Sequence, residues 1–344
     1  MTAGAGGLLR ITAPLLATLL VAIAATWGAV ALWYQVPGGR ASKTASAALW
    51  TGFCLAVVIA LWQGRFALGL SGFALAFGGL IAWWLRLPPS NDRLWADDVA
   101  QMTSGTADGN RVTLRNVRNF AWHSATEYTQ RWETRCYDLE RLEAVDMIMS
   151  YWSRRSIAHM LISFGFDDGG HVAFSVEIRR EKHESYSEIG GFFKEFELSV
   201  IAADERDVVY VRTNVRGEDA YLYRVRLPPP AMRSLFLAYI EEANRLVQAP
   251  RFYHTVTGNC TTLVYHMMKR IIGHLPFDYR VLLSGYMPEY VYSVGGLDQR
   301  YPLEELRALG YISERAKQAD RSDTFSADIR RGVPNLPYVS EDPE

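Results

Sequence analysis

Residues 257–262 run Thr257-Gly258-Asn259-Cys260-Thr261-Thr262. Thr, Gly and Asn there supply the chemistry that starts a helix, and the pattern beyond them predicts a helix over 260–273. Cys260 then sits in the first turn. There the helix dipole and unpaired N–H groups favour a thiolate and lower the thiol pKa. The same N–H groups suit an oxyanion, which makes Asn259 and Thr261 candidates for oxyanion or substrate contact. A buried structural cysteine fits the same position.

Upstream, an amphipathic helix is expected over 231–247, with Leu235, Phe236, Tyr239, Ile240, Ala243 and Leu246 on its inner face. Pro228-Pro229-Pro230 closes a strand region with runs at 158–166, 171–179, 196–202, 208–213 and 221–227. Asp167-Asp168-Gly169-Gly170 joins the first two as a hairpin. Leu139, Leu142, Val145, Ile148 and Met149 fall at helical spacing and predict a helix over 136–152. The pattern is α+β with an antiparallel sheet, over about 92–315, and the polar tail at 316–344 is expected to pack loosely. Pro88-Pro89-Ser90-Asn91 forms the hinge in front of this domain.

Before the hinge the chain is almost free of charge. Apolar runs at about 11–34, 45–62 and 66–85 each approach the ~20 residues that cross a bilayer. Trp33, Tyr34, Trp50, Trp62, Trp83 and Trp84 lie near their ends, as in an interfacial belt. Residues 1–90 therefore form a membrane anchor. A signal peptide does not fit, because the first run is long and two more follow it. Arg10 and Arg65 lie on one side of the membrane, and Arg40, Lys43, Arg86 and Arg93 on the side of the large domain. Taken alone, that count puts the domain in the cytoplasm.

Net charge is −1, so no bulk affinity for nucleic acid is expected. The three cysteines, Cys54, Cys136 and Cys260, cannot build a disulfide framework. No Cys/His spacing of the zinc kind appears, and neither a metal site nor a cofactor is expected. A thiolate enzyme needs a base. His159 opens the first hairpin strand among apolar residues, a setting that also suits a core histidine with a satisfied hydrogen bond. His171 lies just past the turn and suits a surface role; His254 is near Cys260 only in sequence. A third group should orient the imidazole. A tight turn sets His159 opposite Ile178, with Glu177 beside it, and Asn119 is the other candidate.

Histidine on a strand, further strands, then Asn-Cys at a helix start resembles the circularly permuted papain-like enzymes, including permuted NlpC/P60 and lecithin:retinol acyltransferase-like proteins. A closer resemblance covers most of 112–330. Val117-Arg118-Asn119-Phe120, Tyr128-Thr129, Arg131-Trp132-Glu133-Thr134-Arg135, Ser150-Tyr151-Trp152, Ala158-His159 and Ser163-Phe164-Gly165-Phe166 are similar to the bacterial Lnb N-terminal periplasmic domain family. So are Glu181-Lys182-His183-Glu184-Ser185-Tyr186-Ser187, Ala203-Asp204-Glu205-Arg206-Asp207-Val208 and Asn259-Cys260-Thr261-Thr262. The resemblance implies a multi-pass protein of the bacterial inner membrane with its large domain in the periplasm. It also implies a thiol acyltransferase that takes an acyl group from phospholipid, with a lipoprotein amine as acceptor.

Three readings follow. In the first, Cys260 and His159 transfer or hydrolyse an acyl group at the membrane surface. In the second, the same thiol acts on a peptide or amide of the cell wall. In the third, Cys136 and Cys260 form a disulfide and the domain is a tethered binding module.

Overall fold

The computed structural model describes residues 3–334, with backbone alone for residues 3–10. It comprises two compact units: Met1–Pro89 with Ser187–Glu195, and Ser90–Tyr186 with Phe196–Glu344.

The first unit holds α1 (Ala3–Gln35), α2 (Arg40–Trp62) and α3 (Phe66–Arg86). The spans Ile11–Gln35, Arg40–Trp62 and Phe66–Arg86 are each long and apolar enough to cross a membrane. Small contacts hold the bundle together while Leu15, Leu19, Leu20, Leu49, Leu68 and Leu75 stay exposed, as suits lipid-facing helices. Trp50 Nε1 donates to Ala25 O at 3.1 Å, and Trp62 Nε1 to Thr18 Oγ1 at 3.1 Å. The second helix starts at Arg40, five residues before the expected run, because its first turn is polar. A short helix, α4 (Glu188–Phe192), belongs to this unit although it lies far along the chain.

The second unit is α+β. Its strands are β1 (Ser104–Asp108), β2 (Arg111–Arg118), β3 (Ala121–Trp122), β4 (Tyr128–Thr129), β5 (Trp132–Asp138), β6 (Leu142–Tyr151), β7 (His159–Phe166), β8 (His171–Arg179), β9 (Glu197–Ala203) and β10 (Asp219–Arg224). The main sheet has the order β1-β2-β9-β8-β7-β6-β10, with β5 on β2; β3 and β4 pair separately. It is antiparallel except for one parallel pairing between β2 and β9. The helices are α5 (Glu205–Tyr210), α6 (Pro229–Gln248), α7 (Cys260–Ile272), α8 (Met287–Ser293), α9 (Leu303–Gly310), α10 (Ser313–Ala319) and α11 (Phe325–Ile329).

The sheet separates two apolar layers. Met160, Ile162, Phe164, Phe174 and Val176 meet Phe236, Tyr239 and Val264 of α6 and α7. Leu161, Ala173, Ile148 and Ile201 meet Val208, Ile312, Ala316, Phe325 and Ile329. Such alternation is what adjacent strand residues produce.

Several expectations change. The helix expected over 136–152 is the end of β5 and all of β6. Residues 144–150 are buried throughout, because β6 lies between β7 and β10 with both faces covered. A strand of that kind is apolar continuously and imitates helical spacing. The run 208–213 is helix: the Asp204 carboxylate accepts from Arg206 N–H and caps α5, whose first turn is acidic. A π turn, Val211–Val215, follows it.

The polar tail is folded as far as the description reaches. Phe325 and Ile329 are fully buried. Arg330 donates to Asp146 at 2.9 Å and to Glu205 at 2.6 and 2.8 Å. Its polarity reflects a buried ionic cluster, and only residues 335–344 of that segment lie outside the described residues.

The Cys136–Cys260 disulfide is absent. Cys136 is exposed on β5, 3.5 Å from Thr113 Oγ1, while Cys260 is buried, and both are free thiols.

Candidate active site

Cys260 is the first residue of α7. Asn259 Oδ1 accepts from the N–H groups of Thr261 and Thr262 at 3.0 and 2.9 Å, and Thr262 Oγ1 accepts from Asn259 N–H at 3.0 Å. This reciprocal cap fixes the helix start. The Thr261 hydroxyl donates to Val281 O at 2.8 Å. Asn259 and Thr261 are thus committed to the frame, and the Cys260 N–H, the first of the helix, is the donor without an intrahelical acceptor. His254 shapes the preceding turn, its Nδ1 accepting from Val256 and Thr257 N–H at 3.3 and 3.2 Å.

His159 opens β7. The segment before it is pinned by Ala158 N–H to Ser284 Oγ at 3.0 Å and by Tyr151 OH to Gly285 O at 2.7 Å. Gly285 N–H donates to Ser156 O at 3.1 Å. A Cβ at Gly285 would fall 1.9 Å from Arg155 O, so the close approach requires glycine.

The hairpin brings β8 alongside. Gly169, at φ 80°, closes the turn with its N–H on Phe166 O at 3.0 Å. Leu161 pairs with Ser175. Continuing that register by two residues sets His159 opposite Glu177 itself, one residue from the expected Ile178. Ser175 Oγ lies 2.7 Å from His159 Nε2 and donates to Glu177 Oε1 at 2.6 Å. The same carboxylate oxygen lies 3.3 Å from His159 Nε2. The same ring is hydrogen-bonded to Cys260.

Three groups are thus brought together, and their charges reinforce one another. Burial and the nearby Arg212 charge oppose a charged His159, yet Glu177 and the thiol hydrogen bond raise its pKa to about 9. Burial likewise opposes the Cys260 thiolate, but the His159 hydrogen bond and charge, with the Met160 N–H, bring the thiol below its usual value. Burial disfavours charge on Glu177 too; the His159 charge and hydrogen bond, then Arg212, hold it well below the usual carboxylate range. The arrangement favours a thiolate–imidazolium pair backed by a carboxylate.

Ser175 and Arg212 were not anticipated. Ser175 had a signal: it alternates with Glu177 on a buried strand, where a hydroxyl needs a partner. Arg212 Nη2 lies 3.2 Å from Glu177 Oε1, and its Nη1 lies 3.3 Å from Glu218 Oε2. The π turn that carries Arg212 was unreadable while 208–213 looked like a strand. Asn119 is elsewhere; it donates to Glu133 Oε1 at 3.0 Å.

A cavity of about 450 Å³ reaches α7 and β7 but is not lined by Cys260 or His159 themselves. Its lining includes Met160 and Thr261, the neighbours of His159 and Cys260, with Leu235, Val264, Met287 and Tyr290. Nearly all of its walls are aliphatic or aromatic. Among the described residues no group of three or more His, Cys, Asp or Glu could hold a metal ion.

Residues 128–285 match the family model described as the Lnb N-terminal periplasmic domain. That stretch carries His159, Ser175, Glu177, Arg212 and Cys260. No curated protein and no solved structure matches the chain.

Proposed function

We propose that this membrane-associated, Lnb-type protein is a thiol acyltransferase or acyl hydrolase acting on lipid at the membrane surface. One observation carries the reading: Cys260 is paired with a carboxylate-backed His159, and the residues next to each in the chain, Thr261 and Met160, line an apolar cavity. An acyl chain is the substrate part that such walls accommodate. A peptide would leave its backbone groups without partners there.

In the proposed reaction the Cys260 thiolate attacks an ester carbonyl carbon of a phospholipid. The Cys260 N–H lies at the helix start to steady the oxyanion. The tetrahedral adduct collapses, the C–O bond breaks, and His159 gives its proton to the leaving lysophospholipid oxygen. A thioester remains. An amine, that of a lipoprotein N-terminus, or water then attacks it while His159 takes the incoming proton, and the thiolate departs. Glu177 and Ser175 hold the imidazole throughout, and Arg212 holds Glu177.

The permuted order of base, strands and thiol supports a papain-like relationship. The family's periplasmic designation supports placing this domain outside the inner membrane, against the basic-residue count. A periplasmic reporter at the C-terminus should be active; a silent one overturns that placement.

Protein in detergent, incubated separately with phosphatidylethanolamine and with peptidoglycan fragments, tests the substrate class. Lysophospholipid should form with the first, and Cys260→Ala should abolish it. Cleavage of the second alone would replace a lipid substrate by a cell-wall one.

A further inference from the structure

We infer that the segment Ser187–Glu195 is a lipid-contacting loop, with Ile189 and Phe192 seated in the bilayer among acyl chains. The inference rests on the three helices spanning a membrane and does not depend on the thiol chemistry.

This segment interrupts the sheet between β8 and β9, yet it folds with the membrane unit. The attachment is specific. Gln35, the last residue of α1, donates through Nε2 to Phe193 O and Lys194 O, both at 2.8 Å. Tyr34 OH lies 3.1 Å from Ser187 Oγ. Lys194 Nζ donates to Trp84 O at 2.7 Å near the end of α3. The Phe193 ring stacks on Tyr34 at 6.0 Å and meets Trp84 edge-on at 6.0 Å. The loop is therefore built into the aromatic ends of α1 and α3, the level at which Trp and Tyr mark a membrane interface.

The rest of α4 follows from that anchoring. Ser187 caps it by accepting from Gly190 N–H at 2.9 Å. Gly190 and Gly191 are buried, which turns the opposite face outward. That face carries Ile189 and Phe192, 58% and 44% exposed and three residues apart, hence neighbours on one side of a helical turn. Large apolar side chains exposed at an interfacial aromatic belt, in a segment that also carries Glu188, Lys194 and Glu195, are the pattern of a segment lying in the headgroup–acyl boundary. Trp33 and Leu85 near the ends of α1 and α3 are exposed as well, and the helices that hold the loop are long and apolar enough to cross a membrane, so bilayer lipid is its occupant.

The test places p-benzoylphenylalanine at Ile189 or Phe192 of the full chain in vesicles of phosphatidylethanolamine and phosphatidylglycerol. Leu19 serves as the lipid-exposed control and Asp108 as the aqueous one. After illumination, lipid adducts at 189 and 192 should match those at Leu19 and exceed those at Asp108 several-fold. Adducts at the Asp108 level overturn the inference, as does cross-linking to protein instead of lipid. Spin labels at the same two positions give an independent reading that tolerates a poorly folding photoprobe variant. Oxygen should collide with them freely and a water-soluble nickel complex rarely; the reverse ranking overturns the inference as well.

Discussion

Glu177 Oε1 lies 3.3 Å from Nε2 of His159. Apart from Cys260, Glu177 is the group that raises the His159 pKa, and it carries the ring to about 9 against burial and Arg212. The sign of the consequence is definite. His159 stays protonated up to about pH 9, while the thiol ionises below its usual range. Activity should rise as the thiol ionises, stay level, and fall above about pH 9. Glu177→Gln removes the charge, so the alkaline limb of kcat/KM should move to lower pH. The rate should drop by about 10²–10⁴, the usual weight of a positioned acid–base group. A pH–rate profile checks both, and an unmoved alkaline limb would place the ring under other control.

Ser175 bridges the same pair. Ser175→Ala leaves the direct 3.3 Å contact in place and removes only the hydroxyl. A hydrogen bond to a charged group contributes about 1.5 kcal/mol, so kcat should fall roughly tenfold. A loss as large as that of Glu177→Gln would make the hydroxyl, not the carboxylate, the orienting group.

Val264 stands one helical turn after Cys260 and lines the cavity. Val264→Phe should fill cavity space one helical turn from Cys260. Overpacking costs about 1–3 kcal/mol in such sites, so the fold should survive. Turnover of esters with long acyl chains should collapse while that of acetyl esters is retained. Equal loss on both would separate the cavity from chain recognition.

Arg330 lies between Asp146 and Glu205, both fully buried. Arg330→Met takes the paired arginine from Glu205, while Asp146 keeps Arg224, and breaking a buried pair in this way costs about 3–5 kcal/mol. Thermal unfolding in detergent should show Tm lowered by about 10 °C. An unchanged Tm would mean that the segment after α10 contributes nothing to the domain.

What the sequence made legible is physically uneven. The three membrane helices were readable because lipid demands an apolar stretch that nothing else in the chain resembles. Cys260 at a helix start was readable because Asn259 and its neighbours cap locally. The His159–Glu177 pairing was readable to within one residue, because a hairpin fixes register through its turn. β6 was not, since burial on both faces erased its alternation. Arg212 was hidden by the π turn, and Arg330 by a polarity that answers buried carboxylates rather than water. Each of these three depends on contacts distant in sequence.

The most direct measurement is the intact mass of the purified full chain after incubation with phosphatidylethanolamine, followed by peptide mapping. A thioester-linked acyl group on Cys260, released by hydroxylamine and missing from Cys260→Ser, is the predicted result. A chain that consumes phospholipid with an unmodified Cys260, or that turns over equally well as Cys260→Ala, would contradict a thiol acyl carrier.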